Sequence, residues 1–153
     1  MSDNIGRDIA IAAGITIVFV ASQLQASFNN GFLSFSPTYD DIVYYIDATH
    51  HVQSLWQDGI GAVLREYFAH PPATFLAAIG FLLFGIKPWA ADAANALPLL
   101  LFVLIVLRLS RELPLGIRLI VTITILSIPI FSLAIVVFRP DMWCTGLTSL
   151  VCF

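Results

Sequence analysis

Apolar residues in this chain gather into long runs instead of recurring at the three-to-four-residue spacing of a soluble amphipathic helix. Trp89 to Leu107 and Leu119 to Phe138 each cover about 20 residues, enough to cross a bilayer as a helix, and Asp92 near one end is their one charged residue. An earlier run, Ile9 to Gln25, follows Arg7 and has Ser22, Gln23 and Gln25 towards its far end. It is long for the apolar region of a signal peptide and a single basic residue precedes it, so a retained anchor is favoured over a cleaved leader. The run Met142 to Phe153 would make about 18 Å of helix, short of the bilayer, and is expected to be a fourth crossing that stops part-way.

Residues 26–88 do not have this character. Their first part, to Pro72, holds Asp40, Asp41, Asp47, Asp58, Arg65, Glu66 and all three histidines. Thr38 precedes an acidic residue three places on in the manner of a capping box, which predicts a helix from about Tyr39 to Trp56. At helical spacing Asp40, Tyr44, Asp47 and His51 share one face, and Ile42, Ile46, Val52, Leu55 and Trp56 supply apolar contacts, as in a helix lying on a membrane. Pro71 and Pro72 start a new segment, Ala73 to Ile86, whose roughly 14 apolar residues suit an interfacial or re-entrant position better than a crossing.

Charge decides how these pieces are threaded. Arg108, Arg111 and Arg118 fall in one short loop, which the positive-inside rule assigns to the cytoplasm, and Arg7 marks a cytoplasmic N-terminus. Both hold only if Ala73 to Ile86 does not cross. The Asp40/Asp41 segment and Arg139-Pro140-Asp141 then share the outer face, periplasmic or lumenal. Asp92, near the outer end of its span, is expected to be hydrated.

Composition agrees with an all-α integral membrane protein of about four transmembrane helices (9–25, 89–107, 119–138 and a partial 142–153), forming one domain over residues 1–153 with interfacial helices in the first outer loop. The chain is 59% hydrophobic and 11% charged, with a mean hydropathy of +0.91, which excludes an ordinary soluble domain. Its 7 basic residues are scattered, so nucleic acid is not an expected partner and membrane lipid is. Cys144 and Cys152 would lie about 12 Å apart in a helix, beyond disulfide reach of each other.

Candidate chemistry is concentrated in the outer segment. Asp40 and Asp41 fit two readings: carboxylates complementing a helix N-terminus, or a catalytic pair at the membrane edge. His50 and His51 are adjacent, point to different sides of a helix, and lack the i, i+4 spacing of a paired metal site. His70 precedes the two prolines, and Asp141 sits at a membrane boundary where Arg139 can pair with it. Gly-rich phosphate loops, Ser/His/Asp signals and zinc-type Cys/His spacings do not occur.

The order of the motifs adds to this. A first span is followed by Tyr39-Asp40-Asp41-Ile42-Val43-Tyr44, then Tyr67-Phe68-Ala69-His70-Pro71-Pro72, Phe81-Leu82-Leu83-Phe84-Gly85 and Phe138-Arg139-Pro140-Asp141-Met142. This resembles the N-terminal part of GT-C glycosyltransferases, nearest to the protein O-mannosyltransferase and lipid A aminoarabinose transferase branch. The resemblance implies transfer of a sugar from a polyprenyl-phosphate donor. Asp40 would be the catalytic residue with Asp41 beside it, and His70 would help receive the lipid phosphate; by its chemistry Arg65 is a further cation able to offset the charge of the departing phosphate. The resemblance also implies a divalent metal ion as cofactor, with Asp141 binding metal or substrate. Two positions depart from the pattern: Ala69 stands where some members carry a metal-ligating acid, and Asp92-Ala93-Ala94-Asn95-Ala96-Leu97-Pro98 replaces an Arg-Leu-Pro-like motif. A chain stopping inside its fourth span is expected to be inactive alone. The rival expectation is a non-catalytic membrane subunit that packs against other membrane proteins.

Overall fold

The computed structural model describes residues 3–30, 40–63, 65–66, 71–129 and 131. Among them every regular element is a helix: α1 (Asp3–Asn29), α2 (Asp40–Asp58), α3 (Ile60–Val63), α4 (Pro71–Phe84), α5 (Pro88–Ala94), α6 (Ala96–Leu109) and α7 (Leu115–Leu126). Two stretches are long and apolar enough to cross a membrane, Ile5–Asn29 and Pro88–Leu109. The run expected at 142–153 lies outside the described residues.

The second long helix is the spine of the fold, because 56% of its apolar window is buried, against 17% for α1. It is broken at Asn95, which the sequence explains through Pro98. A proline there offers no N–H to the Ala94 carbonyl and crowds it, so α5 ends and α6 restarts one residue later. The Asn95 N–H turns instead to the Asp92 carbonyl, 3.1 Å away.

Two apolar clusters meet along this spine. In the first, Ala12 and Val20 of α1 pack with Leu99, Phe102, Val103, Val106 and Leu107 of α6 and with Leu126 of α7. The helices α1 and α6 run antiparallel: Asp8, near the start of α1, meets Arg118 and Arg108 beyond and at the end of α6, and Trp89 shares a surface groove with Leu24 and Phe28 near the far end of α1.

In the second cluster Tyr44, Ala48 and Val52 of α2 pack with Ala73, Ala77 and Phe81 of α4 and with Ala90 and Ala91 of α5. Small residues allow this closeness. Gly80 comes so near α5 that an added Cβ would fall 2.1 Å from the Ala90 carbonyl oxygen. Gly85, at φ 82°, turns the chain from α4 towards α5, a conformation that glycine adopts without a Cβ penalty. Tyr45 then ties α2 to the start of α5, its hydroxyl donating to the Pro88 carbonyl and its ring meeting Phe81 edge-on at 5.4 Å.

Beside these apolar clusters the interior also encloses polar side chains, and large apolar ones face outward. Asp8, Thr16, Ser27, His51, Thr74, Asp92, Asn95, Arg118 and Thr122 are buried, whereas Ile17, Val18, Phe28, Ile46, Trp56, Leu83 and Ile120 are exposed. Hydrocarbon, not water, solvates such a surface favourably. The face of α2 carrying Tyr44 and His51 is turned into the protein, and Ile42, Ile46 and Trp56 point away from it.

Two expectations differ from the observed elements, and a third, the short apolar segment, agrees. The run expected at Leu119 to Phe138 begins as α7 at Leu115 and gives way to a turn at Ser127, because Pro129 disfavours the helical conformation in the residue before it; most of its second half lies outside the described residues. Asp92, expected to be hydrated, is buried on α5. The apolar segment expected at Ala73 to Ile86 is α4, 14 residues long and below spanning length.

Candidate functional site

The site is assembled from one face of α2 and the chain that returns to it. Asp47, His51 and Ser54 are spaced i, i+4 and i+7, so a single helical stripe carries all three, with His50 at its edge. At Asp58 the helix stops, and Gly59 takes φ 81°. The short α3 follows, and its last turn is closed by hydrogen bonds from the Arg65 N–H to the Ala62 carbonyl and from the Glu66 N–H to the Val63 carbonyl. This reversal carries Glu66 back onto the α2 stripe.

Glu66 is the hub. Its Oε2 lies 2.6 Å from His51 Nδ1 and 3.6 Å from His50 Nδ1, while its Oε1 accepts a hydrogen bond from the Ser54 hydroxyl at 2.8 Å. The other nitrogen of His51, Nε2, faces Asp47 Oδ1 at 3.4 Å, and Thr74 of α4 donates to Asp47 Oδ2 at 3.1 Å. The imidazole of His51 therefore sits between two carboxylates, each oriented by a hydroxyl. Burial is graded: the His51 side chain is 3% exposed, that of Glu66 26% and that of His50 66%.

The Ser54 hydroxyl, followed by the two histidines, holds the Glu66 carboxyl below the usual carboxylate range, while desolvation opposes the shift. A charged carboxylate with two imidazoles around one oxygen can exchange a proton with His51 or hold a cation. One ligand atom from each of His50, His51 and Glu66 lies within 4.8 Å of the others, so the three form a potential metal-binding group.

Asp40 and Asp41 form the first turn of α2. Asp40 is 11 residues ahead of His51, about 16 Å along the axis, at the end that Tyr45 joins to α5. Arg65 is exposed in the turn before Glu66. His70 and Asp141 lie outside the described residues. The stripe of Asp47 and His51 was legible from helical spacing, but its connection to Glu66 was not, since that depends on how the chain reverses after Gly59. His50 and His51 differ in burial, as adjacent helical residues do, yet both Nδ1 atoms face the same Glu66 oxygen.

Comparison of the chain with protein-family models, with curated proteins and with solved structures finds no match.

Proposed function

We propose that the chain is the N-terminal module of a GT-C type glycosyltransferase, a multi-pass membrane protein that transfers a sugar from a polyprenyl-phosphate donor at the outer membrane face. The supporting observation is the arrangement of the segment between the two long apolar helices. It holds a helix beginning at Asp40 and another beginning at Pro71, packed against each other and against the start of the second long helix. Arg108 in the last turn of α6 and Arg118 in the first turn of α7 meet the N-terminal part of α1 at the opposite end of the spine. With those arginines in the cytoplasm, Asp40 belongs outside.

In this reading Asp40 takes the proton from the acceptor hydroxyl as its oxygen bonds to the anomeric carbon. The bond from that carbon to the phosphate breaks, and polyprenyl phosphate leaves with its charge offset by His70 and Arg65. The test is Asp40→Asn in the protein expressed from its own gene, assayed in membranes supplied with a panel of polyprenyl-phosphate sugars. Transfer by the wild type and loss of transfer in a folded variant is the expected result. Retained transfer removes Asp40 from the mechanism, and a wild type inert toward every donor favours a non-catalytic subunit. The outward apolar face of α1, including Ile17, Val18 and Phe28, supports that second reading, since other membrane subunits could cover it. Stoichiometric co-purification in mild detergent would test it.

A further inference from the structure

We propose that His50, His51 and Glu66 form a divalent transition-metal site of the zinc type at the C-terminal part of α2. This inference does not depend on the glycosyltransferase reading, and it places the metal on other residues than Asp141.

Ligand type limits the choice of metal. Two imidazoles and one carboxylate suit zinc and its first-row neighbours, whereas magnesium and calcium take all-oxygen sets. Bonds of about 2.0–2.1 Å in a tetrahedral site put donor atoms about 3.4 Å apart. His50 Nδ1 and Glu66 Oε2, at 3.6 Å, already stand near that spacing. His51 Nδ1 and Glu66 Oε2 are in hydrogen-bond contact at 2.6 Å, and they would separate by somewhat under 1 Å to admit a metal between them.

The surroundings of the ligands carry the inference beyond proximity. A metal-bound histidine characteristically gives its other ring nitrogen to a carboxylate, which fixes the ring's tautomer and direction. His51 has a carboxylate on that side: Nδ1 turns toward the site and Nε2 faces Asp47 Oδ1 at 3.4 Å, a contact that falls short of hydrogen-bond geometry without metal and that a small turn of the ring would complete, while Asp47 is itself held by the Thr74 hydroxyl. Ser54 occupies Glu66 Oε1 and leaves Oε2 turned to the histidines. The buried member is thus fixed from behind and the half-buried member from the side. The exposed His50 completes the set at the surface, leaving room for a fourth ligand from solvent. Bound metal would clasp the turn after Gly59 to α2.

Untagged protein purified in mild detergent, stripped with chelator and titrated with Zn²⁺ and with Co²⁺, should bind one equivalent per chain. Cobalt should give the visible absorption of a four-coordinate site, and zinc should raise the melting temperature. Glu66→Gln and His50→Gln should each weaken zinc binding, and the exposed His50 can be changed without disturbing the interior, so a folding defect would not mask the result. Asp47→Asn should lower affinity about 10- to 100-fold through His51. Absence of stoichiometric zinc binding by the folded wild type overturns the site, and so does affinity that is the same in wild type, His50→Gln and Glu66→Gln.

Discussion

Arg118 Nη2 donates to Asp8 Oδ1 at 2.9 Å across 110 residues of sequence, with both side chains almost fully enclosed. The same nitrogen donates to the Leu107 carbonyl at 2.7 Å, and Arg108 Nε stands 3.9 Å from the other Asp8 oxygen. A buried pair broken by removing one partner leaves an uncompensated charge, at a cost of about 3–5 kcal/mol. Asp8→Ala and Arg118→Met should therefore each lower the melting temperature strongly in detergent. The double variant Asp8→Leu with Arg118→Leu should recover much of the loss. A single variant that melts like the wild type would show that this contact does not hold α1 in place.

Gly80→Ala should loosen the seam between α4 and α5, since its Cβ would meet backbone, which cannot swing aside as a flexible side chain does. Overpacking of this kind costs about 1–3 kcal/mol. Gly14→Ala is the matched control: nothing lies within 4 Å of its added Cβ, and alanine is the better helix former. Equal melting temperatures for the two variants would contradict the close approach at Ala90.

Orientation can be read with single cysteines in a background where Cys144 and Cys152 are replaced by alanine. A membrane-impermeant maleimide applied to intact cells should label Asp58→Cys and leave Arg111→Cys unlabelled until the membrane is opened. Labelling of both from outside would mean either that Pro88–Leu109 does not cross or that α4 crosses as well.

Glu66 predicts a pH dependence in the metal-free protein. Its carboxyl is held below its ordinary value of 4.5, chiefly by Ser54. Ionised Glu66 therefore favours the folded state above that value, and the contribution disappears as pH falls through the lowered folded value. In the presence of chelator, Glu66→Gln should be less stable than the wild type near neutral pH, and the two should converge in acid. A constant difference in melting temperature from about pH 7 to about pH 3 would remove Glu66 charge as the cause.

Helices were readable where local rules govern them. Pro71 and Pro72 start α4 where such a pair fits best, and the expected helix from Tyr39 to Trp56 matches α2 within two residues at each end. The apolar pattern did not reveal where α7 begins and ends, because the helix starts after Pro114, ahead of Arg118, and stops before Pro129, inside the apolar run. Tertiary pairings were hidden for a different reason. Asp8 lies beside Arg7 in what reads as a polar leader to the first span, and nothing local marks it as the partner of Arg118. Glu66 likewise reads as a loop residue beside Arg65 until Gly59 turns the chain back.

The separation of Asp8 from Arg118 also has a meaning in time. Chains emerge from the N-terminus at about 5–20 residues per second, so 110 residues amount to a wait of about 5–20 s. Tyr45 meets Pro88 after only 43 residues, so the residues that join α2 to α5 are all made well before Arg118. Asp8 thus has its buried partner only once Arg118 has been made, after the α6 residues that pack against Ala12 and Val20 are already in the chain.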